Sequence, residues 1–488
     1  MSLQALAHDL DTLRHTVRAA VDRTLADWQP WLQGSDYGPS AANLAAWLAL
    51  RRQDLRPLQP RLRQAGLSSL GRCEAHVLPT LDAVQALLHA ALGGTALPAA
   101  DAAAFDAGAQ RVADAASGLF GAPGTDSPVR LMVTLPTEAA TSPDFIPRLA
   151  ALGVQAVRIN TAHDDEAAWA AMVERVRAVR SASGEPLRIL MDLPGPKIRT
   201  AAVREGADRL RVHVGEELAL VAPDQLLQVP ERLPVLSCAA PEVLRHVGID
   251  DRVLIDDGKV SARVLACPAW GLLLKVEVAP PDKGWKLKPE KGLAFPDTDL
   301  DLPALTADDR RILRFVARHA DAIEYSFVQT PEDVRVLQVA LAAERPQDWQ
   351  RIGLVLKVET RRAVRHLPQM VVCAASRQPT AVMIARGDLA VEIGFARTAE
   401  MQEEILWLCE AAQVPVIWAT QVMESCLKNG VPSRGEMTDA AMAARAECVM
   451  LNKGPWLFEA IEMLDALFAR MAGHLHKKSH LLRPLQSW

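Results

Sequence analysis

Eight short apolar runs at nearly even spacing constrain the fold of this 488-residue chain more than any other feature. They are Arg130–Leu135, Val154–Asn160, Leu187–Leu193, Ala322–Val328, Ile352–Glu359, Ala381–Arg386, Pro415–Thr420 and Cys448–Lys453. Each is rich in Val, Ile and Leu, as strands covered on both faces are. Outside one interval, their starts lie between 24 residues (Arg130 to Val154) and 34 residues (Ala381 to Pro415) apart. That is room for a strand, a helix and two loops. Eight such units read as a closed (β/α)8 TIM barrel, an α/β fold, with an open doubly wound sheet as the plainer alternative. The rhythm breaks once, between the third run, ending at Leu193, and the fourth, beginning at Ala322. Inside that gap Arg211–Val214, Leu218–Leu220, Arg252–Ile255, Val260–Val264 and Leu272–Val278 are short strand-like runs broken by Gly and Pro. They predict a small β domain inserted after strand three.

Residues 1–122 differ in texture. Leu3, Leu6, Leu10, Leu13, Val17 and Val21 recur at steps of three and four, as on one face of a helix. Further helical stretches follow, and Gly121–Pro128 reads as a linker. The predicted division is a helical N-terminal module (1–122), a first barrel part (129–200), an inserted β domain acting as a lid (201–296), a second barrel part (297–473) and a basic tail (474–488). The module carries no recognisable chemistry, and the tail reads as a solvated end. Lys plus Arg number 54 against 59 acids, a net charge of −5, so neither nucleic acid nor a membrane is the expected partner. The seven cysteines are scattered and read as reduced thiols. No run is long enough to span a bilayer and no basic leader precedes the first helix, so a cytoplasmic protein is expected.

In a barrel, reactive groups gather at the C-terminal ends of the strands. Strand five ends Leu356-Lys357-Val358-Glu359, which turns an ammonium and a carboxylate to the same side. Strand six ends Ala385-Arg386-Gly387-Asp388. Neighbouring strands lie about 4.8 Å apart, so Glu359 and Asp388 can grip one Mg2+ or Mn2+. Gly387 lets a carboxylate or phosphate approach the amides that start the next helix, and Thr420 adds a hydroxyl at the end of strand seven. The plain alternative for each charge is a salt bridge at the barrel top.

These segments, together with Ala419-Thr420-Gln421-Val422-Met423-Glu424-Ser425, Pro432–Asp439, Arg158-Ile159-Asn160, Ile255-Asp256-Asp257-Gly258 and Lys291-Gly292, resemble the pyruvate kinase family. The likeness runs in order from about residue 129 to 470, lid included. It implies phosphoryl transfer from phosphoenolpyruvate to ADP, with Glu359 and Asp388 on the metal and Lys357 and Arg158 on the phosphoryl group. Thr420, with Gly387 and Asp388, would meet the substrate carboxylate. Lys291, His163 and Thr134 would meet the nucleotide. Phosphoryl transfer depends on positioning and positive charge more than on covalent chemistry, which suits this set.

The departures are informative. Potassium-dependent members read Asp-Thr-Lys-Gly-Pro-Glu after strand three, where this chain reads Asp192-Leu193-Pro194-Gly195-Pro196-Lys197. After the strand-two arginine it reads Asn160-Thr161-Ala162-His163 in place of Asn-Phe-Ser-His. Lys197, with Asp192 as counter-ion and Asn160 nearby, is expected to replace the monovalent cation, so K+ is not required. A unit charge about 4 Å away is worth roughly 4 kcal/mol at an effective dielectric of 20. The first strand ends Thr134-Leu135-Pro136-Thr137, the loop after strand eight is cut to Asn452-Lys453-Gly454-Pro455, and Gln329 follows Ser326-Phe327-Val328 where an arginine is usual. The first two changes fall on the nucleotide side. The family's C-terminal domain has no counterpart, so sugar-phosphate activation is not expected, and a homo-oligomer built through the helical module is left open. Two other readings stand beside this one: a metal-enolate aldolase or lyase acting on oxo acids, and a silent phosphoenolpyruvate- or nucleotide-binding protein.

Overall fold

A computed structural model describes residues 2–94, 101–181, 183–204, 211–300 and 302–480. Its centre is a closed parallel barrel of eight strands, Arg130–Thr134, Ala156–Ile159, Arg188–Leu193, Ala322–Tyr325, Gly353–Val358, Thr380–Ala385, Val416–Ala419 and Cys448–Leu451. They are called strands one to eight below. Each coincides with one of the apolar runs, because almost every residue in them is buried on either the helix side or the interior. Thr306, Thr330 and Ser433 start three of the outer helices with reciprocal caps, each closed by an acid three residues on.

The insert leaves the barrel after strand three and forms a seven-stranded sheet. Its order is Leu293–Ala294, Arg252–Ile255, Val260–Ala266, Gly271–Val278, Glu217–Val221, Val235–Cys238, Thr200–Val203. Pairing is antiparallel except between Glu217–Val221 and Val235–Cys238. It buries its own apolar core, including Leu218, Val253, Val264 and Leu274.

The N-terminal helices are α1 (Leu3–Leu32), α2 (Gly38–Arg51), α3 (Gln59–Gln64), α4 (Val77–Ala91) and α5 (Ala103–Phe120). The Leu6, Leu10, Leu13, Val17 and Val21 stripe is buried as its spacing predicts. The module's core is continuous with that of the barrel helices. Polar contacts fasten it too. Tyr37 donates to Ala412 O (2.6 Å), Asn43 to Ala411 O (2.8 Å) and Ser40 to Gln413 Oε1 (2.7 Å). At the end of α5, Ala116, Leu119 and Phe120 join the inward residues Met132, Leu190, Ala322, Val355 and Met383 in one cluster. The helix end therefore stoppers the barrel floor. Arg130 at the start of strand one holds it there, donating to Gly121 O (3.1 Å) and Ser117 Oγ (2.7 Å). A Cβ on Gly353, at the start of strand five, would lie 2.2 Å from Leu119 Cδ2.

The tail differs from the expected solvated end. Leu475–His476 and Ser479–His480 pair as a small hairpin, Lys477 forms an ion pair with Glu447, and Lys478 with Glu74. Both acids are buried and each needs a cation, which is why the basic residues fold back. Residues 481–488 of the tail lie outside the described residues. Beside this junction, burial chiefly pushes the Glu410 carboxyl up to about 7, with Lys477 opposing and Glu74 and Glu447 adding. An acid whose folded pKa is raised is fully compatible with the fold below its unfolded value, and the cost to stability builds up as pH rises from there to about 7 and is complete above it. The cost is no more than about 3 kcal/mol. Glu410→Gln is thus expected to gain thermal stability over the parent at about pH 8 but not at about pH 4. Melting curves at the two values check it, and an equal offset at both would refute the assignment. All seven cysteines are unpaired, and no described helix is long and apolar enough to cross a membrane.

Candidate active site at the barrel mouth

Strand two projects Arg158 into the barrel just below its mouth, where it is nine-tenths buried. Its Nε donates to Asp192 Oδ1 on strand three (3.1 Å) and Glu324 Oε2 on strand four (2.9 Å). One terminal nitrogen reaches Asp192 Oδ2 and the other Thr134 Oγ1 (3.2 Å) on strand one. A guanidinium has five N–H donors, so two remain for a ligand. Burial works against its charge, but the Asp192 charge and the hydrogen bonds that Asp192 and Glu324 accept hold its pKa above the ordinary value. Burial also opposes charge on Asp192, which Arg158 and Lys357 nevertheless hold well below the usual carboxylate range.

On strand five Lys357 is buried, its Nζ donating to Ser326 Oγ (2.6 Å) and lying 3.4 Å from Glu359 Oε1 and 3.7 Å from Asp192 Oδ2. The other Glu359 oxygen accepts from Phe327 N (2.6 Å). Burial lowers the Lys357 pKa, and Asp192 and Glu359 more than restore it, so the ammonium stays charged. Glu359 is pushed upward, first by burial and then by Asp388, with Lys357 acting the other way. Two neighbouring carboxylates are hard oxygen donors of the type that Mg2+ or Mn2+ takes, and these two could hold one. Among the described residues no third His, Cys, Asp or Glu joins them, so the rest of such an ion's coordination would come from substrate and water.

Asp388 lies in the first turn of the helix Arg386–Ile393. Gly387 before it is required by close approach: a Cβ there would sit 2.8 Å from Thr420 Cγ2. Thr420 itself has φ +72°, and Gln421 φ +56°, a left-handed stretch that a β-branched residue adopts only when held. Arg386 holds it. Its guanidinium donates to Thr420 O (2.6 Å) and Ala419 O (2.9 Å), pairs with Asp439 and stacks over Trp418. Above these groups a cavity of about 250 Å3 separates mouth from lid, lined among others by Lys197, Gly292, Phe327, Glu359, Thr360 and Asp388.

The trio expected to replace the monovalent cation is not assembled. Lys197 Nζ donates to Asp388 Oδ1 (2.7 Å) across the mouth instead of pairing with Asp192. Asp192 points into the barrel and is taken by Arg158 and Lys357, whereas Lys197 lies beyond the turn at Gly195 (φ +68°). Asn160 Oδ1 accepts locally from Ala162 N (3.1 Å). The three nucleotide candidates are also dispersed. Thr134 is buried under Arg158, His163 is exposed on the loop after strand two, and Lys291 lies 3.4 Å from Asp256 Oδ1 within the lid.

Glu324 carries no signal in the sequence, where it lies inside an apolar run. Only its position directly opposite Asp192 in the register of strands three and four gives it meaning. Arg386 and Asp439 stood in conspicuous motifs, but their pairing joins residues far apart in the chain.

A family model described as "Pyruvate kinase, barrel domain" matches residues 129–455. A pyruvate kinase of Agrobacterium vitis is 32% identical over 347 residues, 69% of this chain and 68% of that protein. Human pyruvate kinase PKLR is 30% identical over 342 residues, covering 67% of this chain but only 57% of the human protein. The Thermotoga maritima enzyme is 28% identical over 350 residues, 70% of each chain.

Proposed function

The chain belongs to the pyruvate kinase family, and from that premise we propose that it transfers the phosphoryl group of phosphoenolpyruvate to ADP, giving pyruvate and ATP. The observation that carries this reading is that two buried cations, Arg158 and Lys357, are joined through Asp192 to Glu359, which with Asp388 lines the cavity beneath the β lid.

The two N–H groups of Arg158 that remain bind phosphoryl oxygens, and Lys357 Nζ neutralises charge on the group as it moves between oxygens. The amides opening the helix at Gly387, with the Thr420 hydroxyl, orient the substrate carboxylate. Glu359 and Asp388 would hold Mg2+ or Mn2+, which when bound supplies positive charge to the carboxylate and enol oxygen. Loss of the phosphoryl group leaves an enolate whose carbon takes a proton, and Lys357 stabilises its oxygen while this happens. The lid, with Lys291 on its inner loop, excludes water and meets the nucleotide phosphates.

We further read Lys197 as the fixed cation that makes K+ unnecessary. Its ammonium is paired with Asp388, one of the two acids that would hold the divalent ion. Turnover is measured as pyruvate and ATP formed from phosphoenolpyruvate, ADP and Mg2+, in KCl and in matched tetramethylammonium chloride. The parent is expected to be indifferent to K+. Lys197→Met should lose about tenfold or more in kcat/KM, since it removes a unit charge that lies 2.7 Å from Asp388 beside the reacting groups. Strong K+ dependence in the parent would remove the lysine reading alone. No ATP in either salt would sink the kinase assignment, and pyruvate made from an oxo acid without nucleotide would favour a lyase.

A further inference from the structure

We propose that Glu324 is a positioning residue for Arg158, a neutral, proton-bearing acid that fixes the guanidinium so that its two remaining N–H groups are left for the phosphoryl group. The inference rests on the phosphoenolpyruvate reading.

Glu324 is fully buried inside the barrel, an unusual place for an acid. One of its oxygens accepts from Arg158 Nε at 2.9 Å, while no donor reaches Oε1. Its neighbour across the strands is another carboxylate, Asp192. An ionised Glu324 would leave Oε1 as an unpaired acceptor facing a like charge, and both faults carry a penalty. A proton on Oε1 removes both, because the group then donates toward Asp192. Burial and, next, the Asp192 charge push the Glu324 carboxyl well above the carboxylate range. The groups that face it are Asp192 on strand three, Arg158 on strand two, Lys357 on strand five and the Cys448 thiol on strand eight.

Charge bookkeeping points the same way. Arg158 and Lys357 contribute two positive charges, and Asp192 and Glu359 two negative ones. A third negative charge from Glu324 would leave the floor of an anion site net negative. With Glu324 neutral the floor balances, and the orientation of the guanidinium is still fixed on three sides, by Asp192, Glu324 and Thr134.

The test uses full-length parent, Glu324→Gln and Glu324→Leu. Readouts are phosphoenolpyruvate binding by calorimetry, KM for each substrate, kcat and the melting temperature. Gln keeps the shape, the acceptor toward Arg158 and the donor toward Asp192, so it should stay within about threefold of the parent in every constant. Leu removes a hydrogen bond to a charged group, a loss of about 1.5–3 kcal/mol, and should weaken phosphoenolpyruvate binding and raise its KM by about 10- to 100-fold. KM for ADP should not move. Three outcomes overturn the proposal: Gln as impaired as Leu, Leu with the parent's phosphoenolpyruvate constants, or equal changes in both KM values alongside a lower melting temperature. Parent protein that binds phosphoenolpyruvate without turnover would sink the transfer chemistry, and the binding constants of the two variants would still decide the role of Glu324. Parent protein that does not bind it overturns both.

Discussion

Lys357→Met is expected to produce a folded protein whose kcat is lower by about 10²–10³-fold, the usual cost of removing one preorganised donor from a charge-stabilising site. The ammonium is held between Ser326, Asp192 and Glu359, and burial makes each of those interactions stronger than it would be in water. Met has nearly the same length and leaves no charge. Asp192 keeps Arg158 as a partner, so substrate affinity should fall less than kcat. Steady-state kinetics separates the two. A kcat within threefold of the parent would show that Lys357 is only a structural ion-pair member. Should affinity alone collapse, the residue binds the phosphoryl group in the ground state but does not follow it in transit.

The second large effect lies at the opposite end of the barrel. Phe120→Ala is expected to destabilise the protein by about 3–5 kcal/mol, as large-to-small changes at a fully buried aromatic do. That is a sizeable part of a total stability of about 5–15 kcal/mol. Urea unfolding followed by fluorescence gives the measurement. Gly353→Ala tests the same contact from the socket side. Its methyl would lie 2.2 Å from Leu119 Cδ2 and 2.9 Å from the Ala322 Cβ, so the variant should cost about 1–3 kcal/mol. Leu119→Ala should relieve part of that cost, and strictly additive losses would mean that the two residues do not touch.

The barrel was legible because buried parallel strands leave a strong local signal: a Val-, Ile- and Leu-rich run, a helix-length interval, then another run. The inserted sheet was legible in outline. Short strands such as Thr200–Val203 and Val235–Cys238 leave no such signal because few residues carry their alternation. The site's composition could be read at the strand ends, where Lys357, Glu359 and Asp388 stand in sequence order. Its wiring could not. Lys197 and Asp388 are separated by 191 positions, and Glu324 meets Arg158 across 166, so their partners follow only from strand order and register. For the same reason Asp192 looked like the natural counter-ion of nearby Lys197. Strand direction decides otherwise, turning one inward and carrying the other past the rim. The helical module looked detached because its own stripe accounts for its helices, and nothing in Ala116, Leu119 and Phe120 announces the socket they fill.

That stopper has a consequence for how the chain is made. The ribosome releases α5 long before it releases the last stave of the socket, Cys448–Leu451. Through most of synthesis a greasy helix end therefore has nowhere to dock, and the half-built cylinder has an open base. Nascent chains stalled before residue 448 should consequently be the aggregation-prone ones, and release of the final strand should end their dependence on holding chaperones.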